Sequence, residues 1–255
     1  MRRKLLLCGL IVLAATFAAA QDLTLDQVIA KSVEARGGME KLKAVKSMRM
    51  TGKMTVGPGM EAPLVLMAKR PMKMRLEATI QGLTLVQAYD GTSGWQIVPF
   101  QGKKDAEPMS ADDLKDAQEQ ADLDGPLVDY KDKGNKVELM GKEAVEGSDA
   151  YKLKVTLKSG DIRYIYLDPD SFLEIKTEGK RMVRGTEMEF ESVSGDYKEV
   201  EGMMMPFSIE AGPKGSPQRQ KITIEKVEIN PAMDDGLFKM PPPAPAAPAE
   251  KKPGL

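Results

Sequence analysis

A period of two constrains this chain more than any other feature. Met72, Met74, Leu76, Ala78 and Ile80 alternate without a break with Lys73, Arg75, Glu77, Thr79 and Gln81. Successive side chains of a strand point to opposite faces, so this run predicts a strand with one apolar and one charged face. The same alternation runs through 47–56, where Met48, Met50, Met54 and Val56 interleave with Arg49, Thr51, Lys53 and Thr55. Further strands are predicted at 63–70, 83–89 and 95–100, with Gly57-Pro58-Gly59 and Asp90-Gly91 as turns. Beyond position 130 the extended segments are 136–145, 151–157, 162–167, 173–177, 187–193, 206–210 and 221–229, with Ser159-Gly160-Asp161 as a hairpin turn. Short turns between successive strands predict an antiparallel meander. About ten strands exceed an ordinary open sheet, so the sheet must curl strongly or partly close.

Three segments carry a helical period instead. Thr24 and Gln27 have the spacing of a capping box, with Leu23 and Val28 placed for a hydrophobic staple across it, and Gly37-Gly38 stops the helix. A short second helix is predicted over 39–45. The third, 110–121, has Ser110 as its cap, Asp112 and Asp113 at its positive end, and a narrow stripe of Leu114, Ala117 and Ala121.

The two ends of the chain differ from this pattern. Arg2, Arg3 and Lys4 precede an apolar stretch over 5–15, and Ala18-Ala19-Ala20 precedes Gln21. That is the layout of a secretory signal peptide cleaved after residue 20. The predicted location is therefore the periplasm. The apolar stretch is short for a transmembrane helix. The last fifteen residues, 241–255, contain six prolines and predict a disordered tail. The folded domain is then 21–240.

Composition narrows the chemistry. The chain has no histidine, and its one cysteine, Cys8, lies inside the leader with the apolar core continuing after it. A Ser–His–Asp triad and a zinc site built on histidine or cysteine are excluded. So are disulfides and thiolate chemistry in the mature chain. Of 37 basic and 38 acidic residues, Arg2, Arg3 and Lys4 leave with the leader, so the remainder carries a charge of about −4 and argues against a nucleic-acid partner. Asp122, Asp124 and Gly125 hint at a calcium loop, but the other ligand positions are missing, and they read as a loop after a helix. No metal, no cofactor and no catalytic residue is expected, and the chain reads as a binding protein rather than an enzyme.

Methionine is the unusual component, at 18 residues against 5% aromatics. Many fall on the apolar phase of strands, including Met48, Met50, Met54, Met72, Met74 and Met188, and Met203-Met204-Met205 precedes a strand. Methionine suits surfaces that accommodate varied apolar shapes, and it also fills ordinary cores. A curled sheet lined this way can hold a cavity. An acyl chain gains about 0.8 kcal/mol per buried CH₂ in such a place.

Four motifs then resemble a known family in sequence order. Lys69-Arg70-Pro71-Met72-Lys73-Met74-Arg75 resembles the K-R-P strand start of the outer-membrane lipoprotein-sorting family, the LolA-like and LolB-like periplasmic carriers. Tyr89-Asp90-Gly91-Thr92-Ser93-Gly94-Trp95 resembles its D-G-x-x-x-W hairpin, 166–173 its L-D-P-x-x-x-L turn, and 234–241 its closing D-x-x-x-F-x-x-P. The resemblance spans about 25–241. It implies a mainly β (α+β) fold, a curled antiparallel sheet forming an incomplete β-barrel with helices over its open side. It also implies an apolar cavity for acyl chains.

On that basis the expected ligand-binding residues are Met50, Met54, Leu66, Met74, Leu76, Trp95, Ile97, Leu153 and Val155. Arg70 matches the family's arginine that bonds lid carbonyls and gates the lid, and the helix at 110–121 belongs to that lid. The polar linker at 101–108, the Met203–Met205 segment and the Pro-rich tail depart from the family pattern. The resulting expectation is a monomeric carrier whose partners are lipid or lipoprotein acyl chains and inner- or outer-membrane proteins. The alternative is an envelope sensor or interaction module working through a protein partner.

Overall fold

The computed structural model describes residues 23–101, 104–183 and 185–242. The leader, and all but the first two residues of the Pro-rich tail, lie outside the described residues.

Two helices open the chain, α1 (Leu25–Ala35) and α2 (Met39–Ala44). The capping box forms as the spacing predicts: Thr24 N–H donates to Gln27 Oε1 at 2.9 Å, and Gln27 N–H donates to Thr24 Oγ1 at 3.3 Å. α1 buries Val28, Ile29, Ser32 and Val33.

Five strands follow: β1 (Ser47–Gly57), β2 (Met60–Lys69), β3 (Lys73–Ile80), β4 (Leu83–Tyr89) and β5 (Gly94–Ile97). After the two-residue β6 (Glu107–Pro108) comes α3 (Ala111–Gln120), capped by Ser110. The remaining strands are β7 (Lys136–Val145), β8 (Ser148–Thr156), β9 (Ile162–Leu167), β10 (Glu174–Val183), β11 (Thr186–Val200), β12 (Met203–Pro213) and β13 (Gln220–Ile229).

Among the described residues thirteen strands form one antiparallel sheet, a meander except that β1 pairs with β13, which brings the two halves together. β6 and β7 are its two edges, so it is an incomplete barrel. The register shifts between Thr51 and Gly52, where β1 and β13 approach closely. A Cβ at Gly52 would collide with the Thr223 backbone carbonyl, so this crossing requires glycine.

α3 measures the curl. It contacts β3, β4 and β10. Six strand steps separate β3 from β10 in the sheet order, which is about 29 Å across a flat sheet. A ten-residue helix is about 15 Å long. It reaches both only because the sheet wraps around it. Leu114 and Met109 lie over Gly94 on one side. On the other, Arg163 of β9 clasps the Glu119 carboxylate, with Nη2–Oε2 at 2.8 Å and Nη2–Oε1 at 3.1 Å.

The main core lies on this covered face. Val28, Ile29 and Val33 of α1, Leu42 of α2, and Leu127 and Val128 after α3 pack onto Val137, Leu153, Val155, Ile165, Leu167 and Met203. A second cluster joins Met74 and Tyr89 to Ala117 and Ala121 of α3. A third, Val86, Ala88 and Trp95, lies on the opposite face.

Candidate functional site

The K-R-P arginine sits just past the end of β2, beneath the helices. Arg70 Nε donates to the Val45 carbonyl at 2.6 Å and Nη2 to the Leu42 carbonyl at 3.1 Å, both at the C-terminal end of α2. The same guanidinium grips the Asp124 carboxylate with two bonds, Nη1–Oδ2 at 2.9 Å and Nη2–Oδ1 at 2.5 Å. Bidentate pairs of this kind are strong and directional.

Asp124 gathers further partners. Lys43 of α2 donates to it at 2.9 Å, and Arg36, at the C-cap of α1, donates to its backbone carbonyl at 3.0 Å. Burial acts to raise the Asp124 carboxyl, but the hydrogen bonds from Arg70 and Lys43 outweigh it and hold its pKa at about 2. One buried residue, through its carboxylate and its backbone carbonyl, thus ties α1, α2, the end of β2 and the segment after α3 into a single latch. Its oxygens are engaged by side-chain cations, which is the physical answer to the calcium-loop hint at Asp122, Asp124 and Gly125.

Two neighbouring cavities lie on the covered face. The larger, about 800 Å³, opens beneath α3, and Tyr89, Leu157 and Ile165 line it together with charged side chains that include Lys115, Glu119, Lys133 and Arg163. The smaller, about 230 Å³, lies between α1, α2 and the strand ends, and Met203, Met204 and Met205 line it together with Leu42, Val45 and Met48. Pro126, Ile165 and Glu174 line both. The larger volume falls within the ~300–1,000 Å³ of small-molecule sites.

The residues expected to line a cavity divide by strand phase. Met50, Leu66 and Leu76 are one cross-strand row, and Met74 packs on α3. Leu153 and Val155, fully buried, sit in the main core. Met54 shares the phase of Met50 on β1. These seven belong to the covered face. Leu66, Met74, Leu76, Leu153 and Val155 belong to its packed clusters, Met50 and Met54 are part-buried, and none of the seven lines either cavity.

Trp95 and Ile97 require a correction, because they project from the opposite face. Met74 pairs with Tyr89, and Tyr89 with Gly94, so Trp95 is one residue out of phase. Its indole N–H donates to the Phe238 carbonyl at 2.8 Å, and the Arg75 guanidinium lies 5.4 Å from its ring centroid. The 3₁₀ turn Asp235–Phe238 covers this corner and fully buries Phe238.

Three residues at the site were not singled out by the sequence, Arg36, Glu174 and Tyr197, and Asp124 was singled out only as part of a loop. Asp124 carries a further faint signal, an acid between Leu123 and the apolar Pro126-Leu127-Val128. Glu174 carries none, since a glutamate at a strand start reads as solvated. In the structure burial pushes its carboxyl up, opposed by a bond from Thr177 and the charge of Arg36. Burial and the charge of Glu174 likewise push the Tyr197 hydroxyl up.

No family model and no curated protein matches the sequence. Solved structures do match. A DUF1329 family protein from Desulfovibrio piger superposes with a TM-score of 0.58 at 12% identity, over 84% of this chain and 96% of that one. A LolA superfamily protein from Nitrosomonas europaea gives 0.57 at 14% identity, over 86% and 98%. A putative outer membrane lipoprotein-sorting protein domain from Vibrio parahaemolyticus gives 0.55 at 11% identity, over 82% and 94%. The fold is LolA-like. Within this LolA-like fold, the covered face with its latch and cavities is the candidate site.

Proposed function

We propose that this protein is a periplasmic carrier that holds the acyl chains of lipids or lipid-modified proteins inside its incomplete barrel. The observation that carries the reading is the cavity of about 800 Å³ under α3, on the face where the fold concentrates its apolar residues. The sequence supports export through its leader, and the fold is shared with a putative lipoprotein-sorting domain. The function is binding and hand-over between membrane partners, with no covalent step, and the carrier acts as a monomer.

The latch supplies the moving part of this reading. Arg70 holds α2 and the segment after α3 through carbonyls and one carboxylate, so releasing one side chain loosens both, while Lys43 and Arg36 keep their bonds to Asp124. Mass spectrometry of lipids extracted from the purified protein tests the proposal. Co-purifying acyl lipids in stoichiometric amount are expected. Protein purified from its host envelope with no acyl lipid, and taking up none when offered, overturns it.

A further inference from the structure

The smaller cavity is too polar at one end for hydrocarbon alone. Ser32 and Arg36 of the α1 region face Glu174, Ser194 and Tyr197 of β10 and β11 across it, and the methionines of β12 form its apolar side. Each polar group is fixed in place. Arg36 is anchored by its bond to the Asp124 carbonyl. Tyr197 Oη donates to the backbone carbonyl of Glu174 at 2.6 Å, and Thr177 Oγ1 donates to Glu174 Oε1 at 2.8 Å.

Among the described residues, Thr177 is the one side-chain donor to the Glu174 carboxylate. Arg36 acts on that carboxylate through its charge, and no ion pair within 4 Å joins the two. Glu174 is part-buried and lines both cavities, so its remaining acceptor sites open onto cavity space and not onto packed side chains. In a binding role the same arrangement is useful: it is an acceptor and a cation set apart with space between them.

We propose that Glu174 and Arg36 form a headgroup subsite that selects neutral lipids carrying a free hydroxyl, such as diacylglycerols, over lipids carrying a phosphate. A hydroxyl is both donor and acceptor. It gives its hydrogen to Glu174 and accepts from Arg36, completing both. A methyl ether can accept but not donate. A phosphate brings negative charge against Glu174 in a poorly solvated site, where like charges repel strongly. The chains then run past Glu174, Pro126 and Ile165 into the larger cavity, which these three residues also line. This inference rests on the carrier reading above and specifies its cargo.

The test uses the full mature chain, stripped of lipid, and three probes with identical dioleoyl chains: dioleoylglycerol, its 3-O-methyl ether, and dioleoyl phosphatidic acid. Affinities are read by displacement of a fluorescent fatty-acid reporter. Dioleoylglycerol is expected to bind about tenfold more tightly than either of the others, the worth of roughly one buried hydrogen bond. Glu174→Leu should bring diacylglycerol and ether within threefold of each other while keeping the ether affinity. Glu174→Gln, which retains an acceptor but no charge, should keep the preference for diacylglycerol over ether and admit the phosphatidic acid.

Thermal melts identify a variant that fails to fold, and the glutamine variant then decides alone. Wild-type binding of all three probes within threefold overturns the subsite and leaves the carrier standing. So does an undiminished hydroxyl preference in Glu174→Leu, or continued phosphate exclusion in Glu174→Gln. Failure to bind any of the three overturns the carrier reading as well.

Discussion

Two networks of buried charge occupy opposite faces of the sheet, and they are built differently. On the covered face, Asp124 alone joins Arg70, Lys43 and, through its carbonyl, Arg36, residues drawn from α1, α2 and the end of β2. On the outer face the charges form a ladder over adjacent strands. Glu143 pairs with Lys152, Lys176 bridges Glu178 and Glu191, Lys214 reaches Glu178, and Arg219 reaches Glu191. The ladder ties together strands already joined by backbone bonds, and each of its buried carboxylates has two partners. The latch instead ties two helices and a loop to the end of one strand. A network with a single centre opens at one point, and a redundant one does not.

This difference sets a graded series of outcomes. Asp124→Ala should have the largest effect, leaving Arg70 facing bare carbonyls. Removing one partner of a buried pair costs ~3–5 kcal/mol, and the partial exposure of Arg70 and Lys43 places this loss near 3 kcal/mol. Urea denaturation measures it, and a loss under 1 kcal/mol would show that the latch is not a single-centre device. Arg70→Leu should cost somewhat less, about 2 kcal/mol, because Lys43 still pairs with Asp124. It should also speed hydrogen exchange in α2 and accelerate release of bound lipid. Unchanged release and unchanged retention would count against gating by Arg70.

Trp95→Phe should cost about 1 kcal/mol, the bond to the Phe238 carbonyl, and leave lipid retention as it was. Altered retention would mean that the two faces are coupled. Glu178→Gln in the outer ladder should have the smallest effect, under about 1 kcal/mol, since Lys176 keeps Glu191.

The latch also has a definite pH signature. The folded pKa of Asp124, about 2, lies below its usual value. Its contribution is therefore complete above the unfolded pKa near 4 and is lost as pH falls through 2. The stability gap between wild type and Asp124→Asn should be constant from pH 7 to pH 5 and close toward pH 2. A gap that instead widens below pH 4 would reverse the assignment.

The strands of the first half were legible because their polar face is solvated along much of its length, so the period of two survives in the sequence. Leu83–Tyr89 and Lys136–Val145 fall where alternation puts them. β10 and β11 run longer than expected, to Val183 and from Thr186 to Val200, because their added residues are largely polar and show no apolar phase. The face of Trp95 was misread for a related reason. Hydrophobicity marks burial but not its side, and the corner of the outer face at β4 and β5 is covered by a segment 143 residues beyond Trp95, at Phe238.

The latch was half legible: a motif marked Arg70, while its partner lies in a loop, where no periodicity distinguishes a buried aspartate from a solvated one. Glu174 was invisible because only the cavity that α1 shares with β10 and β11 encloses it.

The open seam of the sheet has a mechanical consequence. A closed barrel has a circumference fixed by its strand number and stagger, and it can widen only by breaking ladder bonds. A sheet whose edges are β6 and β7 can instead relax its curvature with every ladder bond intact. What opposes that relaxation is α3, braced between Tyr89 on one flank and the Arg163–Glu119 clasp on the other. The interior volume is therefore governed by a few side-chain contacts of one short helix, and the sheet around it behaves as a spring held at a chosen bend.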